Sequence, residues 1–475
     1  MVERPLWTVQ ELLAATGGHL EGEITHPING ISIDSRSIAE GDVFVAIKGE
    51  KQDGHDYVPA ALKTGAAVAI VSKPTPEMLA AGPVLTVRDD PLRGLEAMGR
   101  AARNWNHGKS IAVTGSVGKT STKEMLRVAL SASGQTHASA ASFNNHWGVP
   151  LTLARFPRNA AFGVFEIGMN HAGEITPLVD MVKPHIAIIT TIAESHLGHF
   201  KSLDEIADAK AEIFSGLVSD GIAIINRDTP YYDRLAKSSR DQGVTNIVSF
   251  GAHEKSDVRM ERVALHPTCC CITANVMGEP VVYKLGVPGR HMALNSLAVL
   301  AAVKLAGADL ARAALALAEA APAKGRGVQE RLRGTAGEIL LIDESYNANP
   351  ASVSAALGLL AQAKPGKSGR KIAALGDMLE LGEFGPGLHA GLAKDIDEQL
   401  LDRLYAAGPL MAHLWAAVPP SRRGFHAENS AELATRIVAD LRDGDVIMVK
   451  GSLGSKMALV VDAIKNNFKP VAGGN

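Results

Sequence analysis

The chain has 475 residues, of which 46% are hydrophobic and 21% charged, so it can bury substantial cores and should divide into about three domains. Its formal net charge of -2, with Lys and Arg scattered rather than blocked, removes the electrostatic argument for nucleic acid and directs attention to small-molecule partners. Met1 to Gln10 holds no apolar core of signal-peptide length, and the Ala/Leu-rich run after Asn295 is interrupted by Lys304, Asp309 and Arg312, so a cytoplasmic enzyme without membrane insertion is expected.

Residues 1 to 108 alternate short apolar strand runs (Gly30 to Ile33, Val43 to Ile47, Val68 to Val71, Val84 to Val87) with helical patterns and close on a helix from Leu92 to Trp105, the reading of a small α/β domain. Two polar stretches stand at strand ends, Asp34-Ser35-Arg36 and Gly49 to Tyr57. Such loops suit a sugar or a nucleotide, and by spacing alone they serve equally well as surface turns.

Residues 109 to 322 repeat a unit of strand, polar loop and helix, which predicts a parallel sheet. The first unit is the most informative. Ile111 to Thr114 is an apolar strand that runs into Gly115-Ser116-Val117-Gly118-Lys119-Thr120-Ser121, where two glycines allow successive amide N–H groups to converge on phosphate oxygens. Lys119 then supplies a point charge and Thr120 a hydroxyl for Mg²⁺, so Mg-ATP is the expected ligand. The spacing is a short form of the usual phosphate loop, because Val113 stands where the outermost glycine of G-x-x-x-x-G-K-[ST] would be. Two further strands end in candidate ligands: Glu166, a carboxylate between Phe165 and Ile167, suits a hard metal, and His196 suits a second metal, although imidazole is an unusual partner for Mg²⁺. Lys210 falls on a helix, where a solvated lysine or an ion pair is the plain reading. In open α/β sheets ligands gather at the carboxyl ends of the strands, so the 115–121 loop, Glu166 and His196 should converge.

The domain continues through Gly221 to Asn226, a strand-rich patch from Val258 to Leu285, and a helix beginning near His291, before a linker at Ala321 to Gly325. Cys269, Cys270 and Cys271 are consecutive within that patch; adjacent cysteines make poor disulfide partners and offer no CxxC zinc pair, so packing is expected of them. Residues 323 to 475 again set strands (Glu338 to Ile342, Lys371 to Leu375, Val446 to Val449) before polar or glycine-rich loops. That pattern is Rossmann-like but lacks G-x-G-x-x-G, so no nicotinamide cofactor is expected.

Together, Thr114 to Ser121, the Glu166 strand, the His196 loop, the Lys210 helix, His291 to Asn295 and Gly325-Arg326 resemble the ATP-dependent Mur ligases of peptidoglycan synthesis over essentially the whole chain. Asp34 to Arg36, Asp53 to Asp56, Phe143-Asn144-Asn145 with Gly148 to Thr152, Ser345 to Pro350 and Gly376 to Gly382 resemble the branch that adds D-alanyl-D-alanine, and the Asp-Asn-Pro-Arg motif of the branch that adds the third amino acid is missing. The resemblance implies three domains: 1–108 binding the UDP-substrate, 109–322 a central P-loop ATPase domain with a parallel sheet, and 323–475 a C-terminal Rossmann-like domain. It also implies residue roles. Lys119, Glu166, His196 and Lys210 would be catalytic; Gly115 to Ser121, Asn295, Arg326 and Glu344 would bind ATP. Ser35, Arg36, Asp53, Gly54 and His55 would hold the uridine end, while Asn144, Asn145, Tyr346, Asn347 and Asn349 would contact substrate. Thr120, Glu166, His196 and Lys210 as a CO₂-derived carbamate would hold Mg²⁺, two ions in all, in a monomer acting on UDP-MurNAc-tripeptide and D-Ala-D-Ala. Glu344 stands where the family carries an aspartate, which leaves open whether Asp343 shares its contact. Two other readings remain at this point: a P-loop switch protein without ligase chemistry, although no Asn-Lys-x-Asp motif is present, and a folylpolyglutamate-synthase relative, which would lack the N-terminal domain.

Overall fold

The computed structural model describes residues 4–140, 142–335 and 337–471. It contains three sheets of five, nine and seven strands, arranged along the chain as three successive α/β units.

The first sheet orders its strands His19–Glu21, Val84–Thr86, Val68–Val71, Asp42–Val45, Gly30–Ser32. Its four later strands are parallel, as their apolar runs lead one to expect, and His19–Glu21 adds an antiparallel edge that so short and polar a segment does not announce. Helix Pro91–Trp105, capped by Asp90, carries Leu95, Met98 and Ala102 inward. The core of this sheet is completed by Leu151 and Ala154 from the next unit. Trp7 Nε1 donates to the Ala154 carbonyl at 2.8 Å, so the two units share packing as well as sequence continuity.

The central sheet is parallel from Thr136–Ala138 through Phe162–Glu166, Lys109–Thr114, Ile186–Ile189, Ile222–Asn226 and Asn246–Gly251 to Val258–Leu265. Cys270–Val276 and Glu279–Leu285 then extend it as an antiparallel meander. Helix Arg290–Leu305 is buried along most of its length against the sheet, which explains why its Ala and Leu residues are not confined to one face. Within strand Cys270–Val276, Cys270 is buried and Cys271 exposed, as strand alternation requires, and Cys269 just before it is partly buried.

The third sheet runs Arg423–Ala427, Arg403–Ala407, Lys371–Gly376, Val446–Lys450, Gly337–Glu344, Val328–Gly334, Lys469–Pro470. Its first five strands are parallel, and the last two add an antiparallel edge. Among the described residues no helix is long and apolar enough to cross a membrane.

Candidate functional site

Strand Lys109–Thr114 delivers the chain into the 115–118 turn at the carboxyl edge of the central sheet. Gly115 has φ 145°, and a Cβ there would lie 1.9 Å from Thr190 Oγ1; Gly118 has φ 88°, and a Cβ there would lie 2.5 Å from Asn295 Nδ2. Both positions therefore exclude side chains, by backbone conformation and by space. The turn is tied to the neighbouring strand, since Ser116 N–H donates to the Thr191 carbonyl at 2.8 Å and Thr190 Oγ1 donates to the Val117 carbonyl at 2.6 Å. Helix Lys119–Ser131 starts at once after Gly118 and has no side-chain cap, so its first N–H groups remain directed at the turn, the arrangement that attracts phosphate.

The three predicted loops do converge. Ser116 to Ser121, Glu166 and His196 line one cavity of about 1330 Å³, together with Asn144, Asn145, Asn295, Arg326, Glu344, Tyr346, Asn347 and Asn349. Lys119 Nζ donates to the Gly115 carbonyl at 2.6 Å. Desolvation lowers its pKa from the ordinary value; Glu166 opposes that shift and Arg326 adds to it. Glu166 is 1% exposed: its Oε1 accepts from Asn144 Nδ2 at 2.6 Å, and its Oε2 is buried without a hydrogen-bond partner. An unpaired carboxylate oxygen at that depth is costly unless something else binds it.

Lys210 does not line the cavity. It is 1% exposed near the end of helix Leu203–Ala211, and its side-chain amine makes no hydrogen bond or ion pair among the described residues. Burial, reinforced by the Lys119 charge, holds its pKa well below the ordinary lysine value. The plain reading of a solvated lysine or an ion pair therefore fails for this residue.

His196 sits at φ 58°. Its Nδ1 lies 2.6 Å from Glu380 Oε2, an ion-pair distance, although the ring is not aligned for a hydrogen bond and Nδ1 is otherwise buried without a partner.

Several other residues are already engaged. Asn145 Oδ1 accepts from Gly148 N–H at 2.9 Å and Asn349 caps helix Pro350–Gln362, so both have structural duties at the cavity wall. Asp343 turns back on Ser345, accepting from its Oγ at 2.6 Å, which leaves Glu344 as the cavity carboxylate. Arg326 stacks over Tyr346, 4.3 Å from the ring centre, and donates to Ser142 Oγ at 3.3 Å.

Ser35, Arg36, Asp53, Gly54 and His55 lie outside this cavity, on two 3₁₀ turns of the first unit. Arg36 pairs with Asp34 at 2.7 Å, its side chain 87% exposed. Asp53 accepts from His55 N–H at 3.0 Å, and His55 Nε2 accepts from Ser72 N–H at 3.0 Å. Gly54 packs so closely that a Cβ would meet the Ile47 carbonyl at 2.6 Å.

Two contributors escape a sequence reading, and a third, His291, enters it only within a motif and without a role. Ser142 shares a 3.2 Å hydrogen bond with Thr120 Oγ1 and so links the phosphate loop to Arg326. Lys450 pairs with Glu344 at 3.2 Å and donates to the Asn347 carbonyl at 2.9 Å; a charge closing the apolar strand Val446–Lys450 is the same signal that singles out Glu166. His291 lines the cavity with its pKa lowered by desolvation, a shift that Glu344 opposes.

Family comparisons agree with this geometry. Residues 27–106 match the model described as the Mur ligase family, catalytic domain; 113–303 match the Mur ligase middle domain, and 330–453 match the Mur ligase, glutamate ligase domain. The chain is 34% identical over 468 residues to the UDP-N-acetylmuramoyl-tripeptide–D-alanyl-D-alanine ligase of Escherichia coli, an alignment covering 97% of this chain and 98% of that one. With the enzyme of the same name from Rickettsia prowazekii it shares 33% identity over 468 residues, 96% of this chain and 99% of the other. Among solved structures, MurF from Acinetobacter baumannii superposes with a TM-score of 0.82 at 31% identity, covering 97% of this chain and 99% of that chain. With the family's three parts in order along one polypeptide and relatives aligned from end to end, the chain belongs to the Mur ligase family.

Proposed function

We propose that this chain is an ATP-dependent ligase that joins D-alanyl-D-alanine to UDP-N-acetylmuramoyl-tripeptide, giving the UDP-linked pentapeptide, ADP and phosphate. The observation that carries the reading is the cavity, where a phosphate loop, a buried carboxylate with one unpaired oxygen and an arginine from the linker face one space. The full-length likeness to ligases of that name supports the choice of substrates.

The chemistry follows from what the reactants lack. A peptide carboxylate is a poor electrophile, so it first attacks the γ-phosphate of ATP and becomes an acyl phosphate. The amides of the 115–118 turn, Lys119 and Arg326 hold and neutralise the phosphates, and the cavity walls limit water at the mixed anhydride. The amino group of D-Ala-D-Ala then attacks; with an α-amine pKa near 8, roughly a tenth of it is neutral at pH 7, so little help with deprotonation is needed. Collapse of the tetrahedral adduct expels phosphate and leaves the amide.

The residues present fit Mg²⁺. Glu166 Oε2 is buried and unpaired, and Thr120 Oγ1 stands beside the phosphate loop; these two would hold one ion, and His196 with Lys210 as a carbamate a second. Mg²⁺ usually takes one or two carboxylates and relies on phosphate and water for the rest. When bound, the metal supplies further neutralisation of phosphate charge. The depressed pKa of Lys210 supports carbamylation, which requires a neutral amine: the Nζ–C bond forms on CO₂ and a proton is released.

We place the uridine site on the first sheet at Ser35, Arg36 and the Asp53–His55 turn, with domain boundaries near residues 108 and 322. A monomer fits, since one chain supplies the whole cavity, and a reducing, cytoplasmic setting fits three unpaired cysteines. The test is phosphate release from ATP by the purified chain. It should require both UDP-MurNAc-tripeptide and D-Ala-D-Ala, and release indifferent to both would overturn the reading.

A further inference from the structure

The segment Gly376 to Gly382 is not absorbed by the roles above, yet it is held with unusual completeness. Met378 N–H donates to His389 Nε2 at 3.0 Å, and the His389 Nδ1–H lies 2.6 Å from the Gly385 carbonyl, an arrangement that uses both nitrogens of a fully buried ring. Leu379 N–H donates to Ser452 Oγ at 2.9 Å, and the Asp377 carboxylate accepts from Met411 N–H at 2.8 Å. The loop tip therefore has little freedom of its own and moves with the third sheet.

That tip meets the His196 loop of the central unit. Gly198 N–H donates to the Glu380 carbonyl at 2.9 Å. A Cβ on Gly382 would lie 2.9 Å from Gly198 Cα, so the backbones approach as closely as glycines permit. Glu380 at φ 64° and His196 at φ 58° both occupy the left-handed region that non-glycine residues rarely adopt, and such conformations persist where surrounding structure or function demands them. Between them, Glu380 Oε2 stands 2.6 Å from His196 Nδ1, an atom sealed from solvent with no other partner.

We propose that Glu380 is a positioning residue for His196, delivered from the C-terminal unit to the central one. A carboxylate 2.6 Å from one imidazole nitrogen favours the tautomer protonated there, and a small turn of the ring brings that N–H into line for a hydrogen bond that orients the ring and leaves the other nitrogen's lone pair for a ligand. Nδ1 faces the carboxylate, so Nε2 is the nitrogen left available. Because the carboxylate and the ring belong to different units, His196 is set for its ligand only while the C-terminal unit is docked. Domain closure and readiness of the metal site are thereby one event. The inference rests on His196 being a metal ligand, and the experiment separates the two ideas.

Glu380→Gln and His196→Gln, singly and together, should be compared with the unaltered chain in Mg²⁺ titrations of ADP binding by calorimetry and in Mg²⁺ titrations of turnover. Histidine ¹⁵N spectra, with the His196 signals assigned by their loss in His196→Gln, report the tautomer directly. Loss of a carboxylate behind a ligating histidine typically lowers metal affinity about tenfold to a hundredfold. Glu380→Gln should therefore raise the half-saturating Mg²⁺ concentration by about tenfold, leave the KM values for ATP and the UDP-linked acceptor unchanged at saturating Mg²⁺, and broaden or shift the His196 tautomer signals. The double variant should be no worse than His196→Gln alone, and Glu380→Asp should recover part of the Mg²⁺ response. An unchanged Mg²⁺ requirement and tautomer in Glu380→Gln, alongside a raised requirement in His196→Gln, would overturn the positioning role and leave the metal role standing. An unchanged requirement in His196→Gln would overturn both.

Discussion

The loops at the carboxyl edge of the central sheet and those at the edge of the first sheet have similar composition, short polar runs closing apolar strands, but they use their polar groups differently. In the first sheet they are satisfied locally and near solvent: Arg36 pairs with Asp34 two residues away, and Asp53, His55 and Ser72 form a short chain of hydrogen bonds. In the central sheet they are buried and incompletely satisfied. Glu166 keeps one oxygen unpaired and Ser116 Oγ has no partner, and Lys210 is 1% exposed with no ion pair among the described residues. Folding alone gains nothing from such groups, and burying them opposes it. Their persistence points to chemistry on the central sheet, whereas the self-paired loops are suited to recognition with small penalties on either side of binding.

The sharpest way to break this contrast is Lys119→Ala. Loss of a preorganised cation at the phosphate loop should lower kcat by about a hundredfold to a thousandfold, while binding of the UDP-linked acceptor, measured by calorimetry without ATP, stays nearly normal. Ordinary turnover in the purified variant would remove the phosphate-loop assignment.

Lys210→Ala follows, with a loss of about a hundredfold on the scale typical of a lost electrostatic group. If the residue acts as a carbamate, added acetate should restore part of the activity of the alanine variant and none of that of Lys210→Arg, whose guanidinium cannot take up CO₂. Full activity in the alanine variant would show that the buried amine has only a packing role.

The same contrast governs what was legible in the sequence. The phosphate loop was readable because its signal is local: two glycines, a lysine and a threonine act through consecutive backbone groups. Glu166 was readable because a carboxylate between Phe165 and Ile167 conflicts with its surroundings. The burial of Lys210 was not legible, since a lysine on a helix is solvated or sealed according to what packs on it from elsewhere in the chain. Ser142 and Glu380 act across 22 and 184 residues of sequence respectively, on Thr120 and His196, and no spacing rule connects such pairs. The parallel core of each sheet was visible in its apolar runs. The patch from Val258 to Leu285 was visible as strands, whereas the edge strands His19–Glu21 and Lys469–Pro470 were not, because they are too short for a period to register. Asn349 illustrates a further ambiguity: an asparagine before a proline signals a helix cap as strongly as it signals a ligand contact, and here it does cap the helix.

Arg36→Ala tests the exposed side of the contrast. A charged hydrogen bond to the uridine end, made by a side chain already paired with Asp34, should raise the KM for the UDP-linked acceptor by about tenfold at most and change the KM for ATP less. Steady-state kinetics with each substrate varied in turn would decide it, and equal weakening of ATP would show that the first sheet does not bind the acceptor alone.

The smallest expected effect lies at the opposite, amino edge of the central sheet, where a buried histidine accepts a backbone hydrogen bond. His185 Nδ1 accepts from Ser110 N–H at 3.0 Å, and burial, assisted by Lys109 and Arg103, lowers its pKa from 6.5 to about 4. The neutral ring is the one that fits, because a protonated Nδ1 cannot accept that hydrogen bond. As pH falls through 6.5 the unfolded chain takes up a proton that the folded chain refuses until about pH 4, so the unfolded state binds more protons across that window and stability declines on acidification. Above pH 6.5 the contribution is fully present. His185→Asn keeps a polar side chain but cannot titrate, so its thermal midpoint should fall less steeply between pH 6.5 and 4 than that of the unaltered chain, by about a few degrees over the range. Parallel midpoint-against-pH curves for the two proteins would show that His185 is not held neutral in the folded state.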